Sequence, residues 1–185
     1  MKIEYLYHYY EKQKGPFLNL SRLEIDEAKS IQNKILKNEK VFASERPDDY
    51  LERRKELEHI AYTIFVKKGG RPQKKYPHYM VVEECKWLET WYKTPAFIKI
   101  PIQIFDMNKV SFSYGDLFPA FSDSLNNKEY SNQIYTYTEI LEIVKKYGLP
   151  QEWNTDGKYG PERYIEAQIW DNGLIEKYIH YKEQK

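Results

Sequence analysis

The periodicity of the apolar residues changes along this chain, and that change limits the possible folds more than any other feature. Before Gly69-Gly70 the main apolar stripes recur at spacings of three and four; beyond it they alternate every second residue. In the first part, Ser21 reads as a helix N-cap with Glu24 completing a capping box, and Ala28, Ile31 and Ile35 share one face of that helix. A longer helix is expected from Pro47, with Asp48 and Asp49 complementing the dipole of its first turn. Its buried stripe is Tyr50, Leu57, Ala61 and Ile64; Arg53, Arg54, Lys55, Glu56 and Glu58 cover the opposite side, and Gly69-Gly70 ends it.

Strand patterns dominate the remainder. One early strand, Ile3 to Tyr10, is broken by Gly15-Pro16. Later come Tyr79 to Val82, Phe97 to Ile104, Val110 to Tyr114 and Tyr164 to Trp170. Ile98, Ile100, Ile102 and Ile104 share a face, but Pro101 lacks a ladder donor, so an edge strand or a break is expected there. Ile165, Ala167 and Ile169 point inward and should pack on the helix from Ser21 or the one from Pro47. Short helices are expected over Glu139 to Tyr147, ended by Gly148 and Pro150, and over Leu174 to Tyr181. Helices early and strands late, without βα alternation, imply a single α+β domain over residues 1–185 with a mixed or antiparallel sheet.

Composition removes several function classes. The formal net charge is +1, so any nucleic-acid contact must come from a local patch rather than a global field. A lone cysteine, Cys85, rules out an intrachain disulfide framework, and Glu83 and Glu84 beside it disfavour a thiolate. No run of apolar residues is long enough for a spanning helix, and the tyrosine-rich start has no apolar core of a signal peptide; a cytoplasmic protein is the expectation. His8, His59, His78 and His180 are scattered, so no metal site is expected. Nor is there a Walker A run, a dinucleotide glycine fingerprint or a nucleophile elbow.

Several residues can carry chemistry. Glu166 lies on the strand face opposite the isoleucines, with Gln168; that face is either a solvent-facing side or the wall of a site. Tyr7-His8-Tyr9-Tyr10 ends the first strand, where a histidine can bond a ribose hydroxyl and a tyrosine can stack on a ring, or where both simply belong to the sheet. Arg46, just before a helix, suits bidentate capture of a pyrophosphate, or is an ordinary surface arginine. Lys67, Lys68, Arg71, Lys74 and Lys75 with Tyr76 and Tyr79 combine charge with rings that stack on single-stranded nucleic acid, or form a solvated loop. Ser111 to Asp116, with Pro119 beyond, reads as a strand entering a constrained loop.

In order, Tyr7-His8-Tyr9, Asn19-Leu20, Arg46, Phe112-Ser113-Tyr114-Gly115-Asp116 and Arg163-Tyr164-Ile165-Glu166-Ala167-Gln168 resemble the layout of DarT-type ADP-ribosyltransferases, which modify DNA bases using NAD. The resemblance implies NAD as substrate, Glu166 as the catalytic carboxylate, His8 and Tyr9 at the adenosine ribose and Arg46 at the pyrophosphate, with no metal. A rival reading is a non-enzymatic nucleic-acid or protein-binding module, such as a defence or immunity accessory protein, using the basic aromatic loop 67–79. A glycosidase-like hydrolase is a third, since paired acids can flank a sugar. Convergence of His8, Arg46 and Glu166 on one cleft separates the first reading from the second.

Overall fold

The computed structural model describes residues 2–38, 41–122 and 128–179. Five strands, β1 (Tyr5–Glu11), β2 (His78–Val82), β3 (Pro95–Pro101), β4 (Val110–Tyr114) and β5 (Ile165–Ile169), form one antiparallel sheet in the order β3-β1-β2-β5-β4. The two long helices, α1 (Ile25–Asn38) and α2 (Tyr50–Lys67), precede β2, while α3 (Leu117–Ala120), α4 (Tyr137–Tyr147), α5 (Pro150–Trp153) and α6 (Gly173–Ile179) follow β4. The chain is therefore an α+β protein. The last helix was expected to reach Tyr181, but residues from 180 onward, His180 included, lie outside the described residues. No helix among the described residues is long and apolar enough to cross a membrane.

One face of the sheet is the main core. Leu6, Met80, Ile100, Phe112, Ile165, Ala167 and Ile169 meet Ile140 and Val144 of α4, Leu149, and Ile175 of α6. The inward direction of Ile165, Ala167 and Ile169 is as expected, but their partners are α4 and α6 rather than the helices after Ser21 and Pro47. Helix α2 lies instead with Trp170, Leu117 and Ile134 through Leu57, Ala61 and Phe65. All five residues of β5 are buried, because both of its faces are covered.

Two helix starts differ from expectation. Ser21 does not cap α1; it sits in a 3-10 turn, Leu20–Arg22, whose cap is Asn19, and α1 begins at Ile25. The Ser21 hydroxyl instead donates to Glu58 and accepts from Arg54 Nε. Helix α2 begins at Tyr50, with Pro47 outside it supplying the carbonyl that accepts from Tyr50 N–H. The capping box appears elsewhere, at Thr136 with Glu139 on α4.

Pro101 ends an edge strand. Lys12 N–H donates to Thr94 and Ile102 N–H to Glu4, so the even-numbered residues of β3 bond to β1 and the odd ones face outward. Pro95 and Pro101 thus remove two donors from the open edge, which blunts it against pairing with another chain. The outcome to test is the packing partner of β5. Replacing Ile140 by Ala should cost about 2–5 kcal/mol of unfolding free energy, whereas Ile31→Ala on the half-buried face of α1 should cost about 1 kcal/mol. Denaturant titration measures both, and a larger loss at Ile31 would restore α1 as the support of the sheet.

Candidate functional site

On the other face of the sheet the strands leave a cleft. The register between β1 and β2 holds only at Leu6↔Val82 and Tyr7↔Val81. Beyond it the strands part, and the imidazole of His8 fills the gap in the ladder: Nδ1 meets the Tyr79 carbonyl at 2.9 Å and Nε2 accepts from Phe17 N–H at 2.8 Å. The second bond requires a lone pair on Nε2, so the proton sits on Nδ1. Burial pushes the His8 pKa down to about 4, against the opposing pull of the Tyr79 carbonyl. Phe17 stacks on the ring at 3.9 Å, and Phe17 itself holds a positive φ of 59°.

The parting of β1 and β2 opens a cleft of about 200 Å³ lined by His8, Tyr9, Arg46, Arg54, Asp116 and Glu166, among others. All four residues expected at NAD, His8, Tyr9, Arg46 and Glu166, therefore line one cavity. Their roles are unequal. His8 has both nitrogens occupied by backbone, so it offers the cleft no free polar atom; it fixes the loop that carries Phe17 and Leu18. Tyr9 is likewise engaged, its hydroxyl accepting from Cys85 N–H and its carbonyl accepting from Tyr92. Arg46 is free of carboxylates among the described residues; its guanidinium lies over the Tyr50 ring, 4.3 Å from the centroid.

Glu166 is buried in the wall of the cleft. It pairs with Val81 on one side and Ser113 on the other, on the face opposite Ile165 and Ala167. A directed chain holds it: Trp170 Nε1–H donates to Ser111 Oγ, Ser111 donates to Gln168 Oε1, and Gln168 Nε2 donates to Ser113 and to Glu166 Oε1 at 3.0 Å. An indole N–H only donates, so Ser111 Oγ is the acceptor at the start of the chain. Burial pushes the Glu166 carboxyl well above the usual carboxylate range, and the charge of Asp116 adds to this; the bond from Gln168 and the nearby Arg54 oppose it.

Sequence patterning alone missed the cleft floor. Arg54 and Glu58 were expected on the outer side of α2, yet Glu58 is completely buried. Its Oε1 accepts from Ser21 Oγ (2.8 Å), Tyr79 hydroxyl (2.7 Å) and Arg54 Nε (3.1 Å). Arg54 also donates to Tyr50 hydroxyl at 2.7 Å, and its guanidinium faces the Tyr79 ring at 4.6 Å. Burial works against the Arg54 charge, but Tyr50, Tyr79 and Glu58 hold it cationic above its ordinary range. The i,i+4 spacing of an arginine and a glutamate was the available signal; it reads equally as a surface pair.

Asp116 enters from the loop after β4. Gly115 takes a φ of +111°, a turn that a side chain would strain, and Asp116 then accepts from Phe118 N–H (2.8 Å) and Tyr164 hydroxyl (2.9 Å). Asp116 and Arg46 also line a second recess of about 430 Å³ walled by Phe42, Trp87, Trp91, Tyr164 and Phe118.

The basic loop does not act as one surface. Tyr79 lies on β2 inside the cleft, its hydroxyl on Glu58, so it is not free to stack on a base. Lys68 is paired with Glu139 at 3.0 Å and faces the Tyr135 ring. Lys67, Arg71, Lys74 and Lys75 are exposed and have no ion pair among the described residues, and Lys75 sits by half-buried Tyr76. Cys85 is buried, and burial rather than the neighbouring acids raises its thiol, against the backbone N–H groups of Leu88 and Trp87. No group of three or more metal-ligating side chains clusters among the described residues. No protein-family model, curated protein or solved structure matches the chain.

The state of Glu166 has a measurable consequence. A carboxyl whose pKa is raised by folding holds its proton more tightly folded than unfolded. Its contribution is therefore favourable below the unfolded glutamate pKa and is lost as pH rises toward the folded one. Glu166→Gln imitates the protonated form and keeps the bond to Gln168. The variant should melt at or above wild type near about pH 8, with the gap closing near about pH 5. Thermal melts at both pH values decide it: a variant that melts well below wild type at both would mean an ionised, structure-bearing carboxylate.

Proposed function

We propose that this chain is an ADP-ribosyltransferase-like enzyme that cleaves NAD between nicotinamide and ribose and passes ADP-ribose to an acceptor. The observation that carries the reading is the polarity of the cleft. A buried carboxyl, Glu166, and a half-buried arginine without a carboxylate partner among the described residues, Arg46, line the same cleft. NAD has the matching polarity: a cationic nicotinamide ring at one end of its ribose and an anionic pyrophosphate at the other. Arg46 takes the pyrophosphate, with its fork held over Tyr50. Loss of nicotinamide develops an oxocarbenium ion on the ribose, and Glu166, which releases its proton to solvent when the cationic ring binds, stabilises it as a carboxylate. His8 shapes the adenosine end through the Phe17 loop rather than by bonding the ribose itself. This reading places the chain in the cytoplasm and requires no metal.

Nicotinamide release from labelled NAD, with and without single-stranded DNA or RNA, tests the proposal. Wild type should release nicotinamide, Glu166→Gln should lose at least about a hundredfold in rate, and Arg46→Ala should mainly raise KM. A wild-type protein that neither binds nor consumes NAD removes the reading.

A nucleic-acid partner rests on a separate observation, the four exposed and unpaired bases Lys67, Arg71, Lys74 and Lys75. These supply local attraction in a chain whose formal net charge is only +1. Each neutralised phosphate on a single strand contributes about −0.7 to the log–log salt slope, so three to four contacts give a slope of roughly −2 to −3. A fluorescence titration across salt concentrations, comparing wild type with the fourfold alanine variant, reads this directly. Equal binding by the two proteins would reduce the loop to a solvated connection.

A further inference from the structure

The mechanism above uses one carboxylate, yet the cleft contains two. Glu166 and Asp116 come from adjacent antiparallel strands, β5 and the end of β4, and both line the cleft. Their positions differ. Glu166 lines only the cleft, whereas Asp116 lines both the cleft and the aromatic recess. Its geometry is fixed from two sides: Phe118 N–H holds Oδ1 at 2.8 Å and the Tyr164 hydroxyl holds Oδ2 at 2.9 Å. The Gly115 turn that places it, with φ at +111°, is one only glycine adopts without strain. Among the described residues Asp116 has no basic ion-pair partner, so its orientation does not come from neutralising a cation.

A nucleophile held in the recess lies beside Asp116, a residue that this recess shares with the cleft lined by Glu166. We infer that Asp116 is the catalytic base of the second half of the reaction, taking the proton of an acceptor that attacks through an O–H or N–H group. The assignment rests on the NAD-cleaving reading above. The bonds balance without a further reactant. The C1′–N bond to nicotinamide breaks and its electron pair leaves with neutral nicotinamide. A lone pair of the acceptor forms the new bond to C1′, and the acceptor's proton passes to the Asp116 carboxylate and then to solvent. Two carboxyl groups in different surroundings thereby divide the work: Glu166 meets developing positive charge, and Asp116 meets a proton.

Water is the simplest acceptor with such a proton, so the test uses NAD hydrolysis by the full chain. Asp116→Asn keeps an oxygen for Phe118 N–H, and Asp116→Ser is a second variant that retains a helix-capping hydroxyl. Both should lose roughly a hundredfold or more in kcat, with KM for NAD within about threefold of wild type. Sodium azide, a nucleophile with no proton to lose, should restore nicotinamide release in both variants and yield an ADP-ribosyl azide identifiable by mass. It should not restore Glu166→Gln, whose lost function is charge stabilisation. Variants that hydrolyse NAD at the wild-type rate, or that lose rate without recovery in azide, overturn the role of Asp116 and leave NAD cleavage by wild type standing. A wild-type protein that leaves NAD intact in water and in azide overturns the NAD-cleaving reading, and this assignment with it.

Discussion

The Arg54–Glu58 pair holds together the parts from which the cleft is made. Arg54 Nε and Glu58 Oε1 are 3.1 Å apart, and the glutamate side chain is entirely buried. Taking two charges out of water is costly, and the cost is recovered only if hydrogen bonds surround them. Here three bonds converge on Glu58 Oε1, while Oε2 is buried without a partner. Ser21 ties the pair to the turn before α1, Tyr79 ties it to β2, and Tyr50 ties it to the start of α2. Because Tyr50 is fixed, its ring stacks on Phe118 at 5.0 Å and carries Arg46 on its surroundings. Removing one member would leave the other charge buried and unpaired, which costs more than the pair itself contributes.

The sheet divides its two faces between the main apolar core and a polar cleft. On the α4 side, apolar side chains from all five strands supply the main core. The other side carries polar residues in a covered environment, and each needs a partner. The chain from Trp170 through Ser111 and Gln168 to Glu166 meets that need for three neighbouring residues at once. It also determines which Glu166 oxygen is occupied, and so orients the other. Where β1 and β2 part, His8 substitutes for missing ladder bonds. The cleft therefore exists because pairing stops, and a histidine makes the stop affordable.

Local patterns made much of this legible. Alternation through Tyr164 to Trp170 correctly opposed Glu166 to Ile165 and Ala167, since a strand's period is two whatever surrounds it. Pro101 announced an edge because proline lacks a donor. Burial of the polar face was not legible: nothing local to β5 says that α2 and the loop after β4 close over it. Glu58 was read as exposed because a helical stripe identifies one apolar face, while α2 is covered on more than one side. Tyr79 follows the basic loop in sequence and so was grouped with it, but the first residues of β2 turn its ring toward Arg54. His8 stood out as a residue, but its part in bridging β1 and β2 depends on a register set by residues far along the chain.

The central claim is that Glu166 waits in the cleft as a buried acid and ionises when a cationic ring enters. Carbon-13 NMR of the Glu166 side-chain carboxyl, titrated with and without a non-cleavable NAD analogue, tests it most directly. The account predicts titration well above the usual carboxylate range in the free protein, because burial and Asp116 both oppose the charge. It also predicts a clear downward movement once the analogue is bound, as the positive ring favours the ionised form. A carboxyl that titrates in the ordinary range when free, or that does not respond to the analogue, would contradict it.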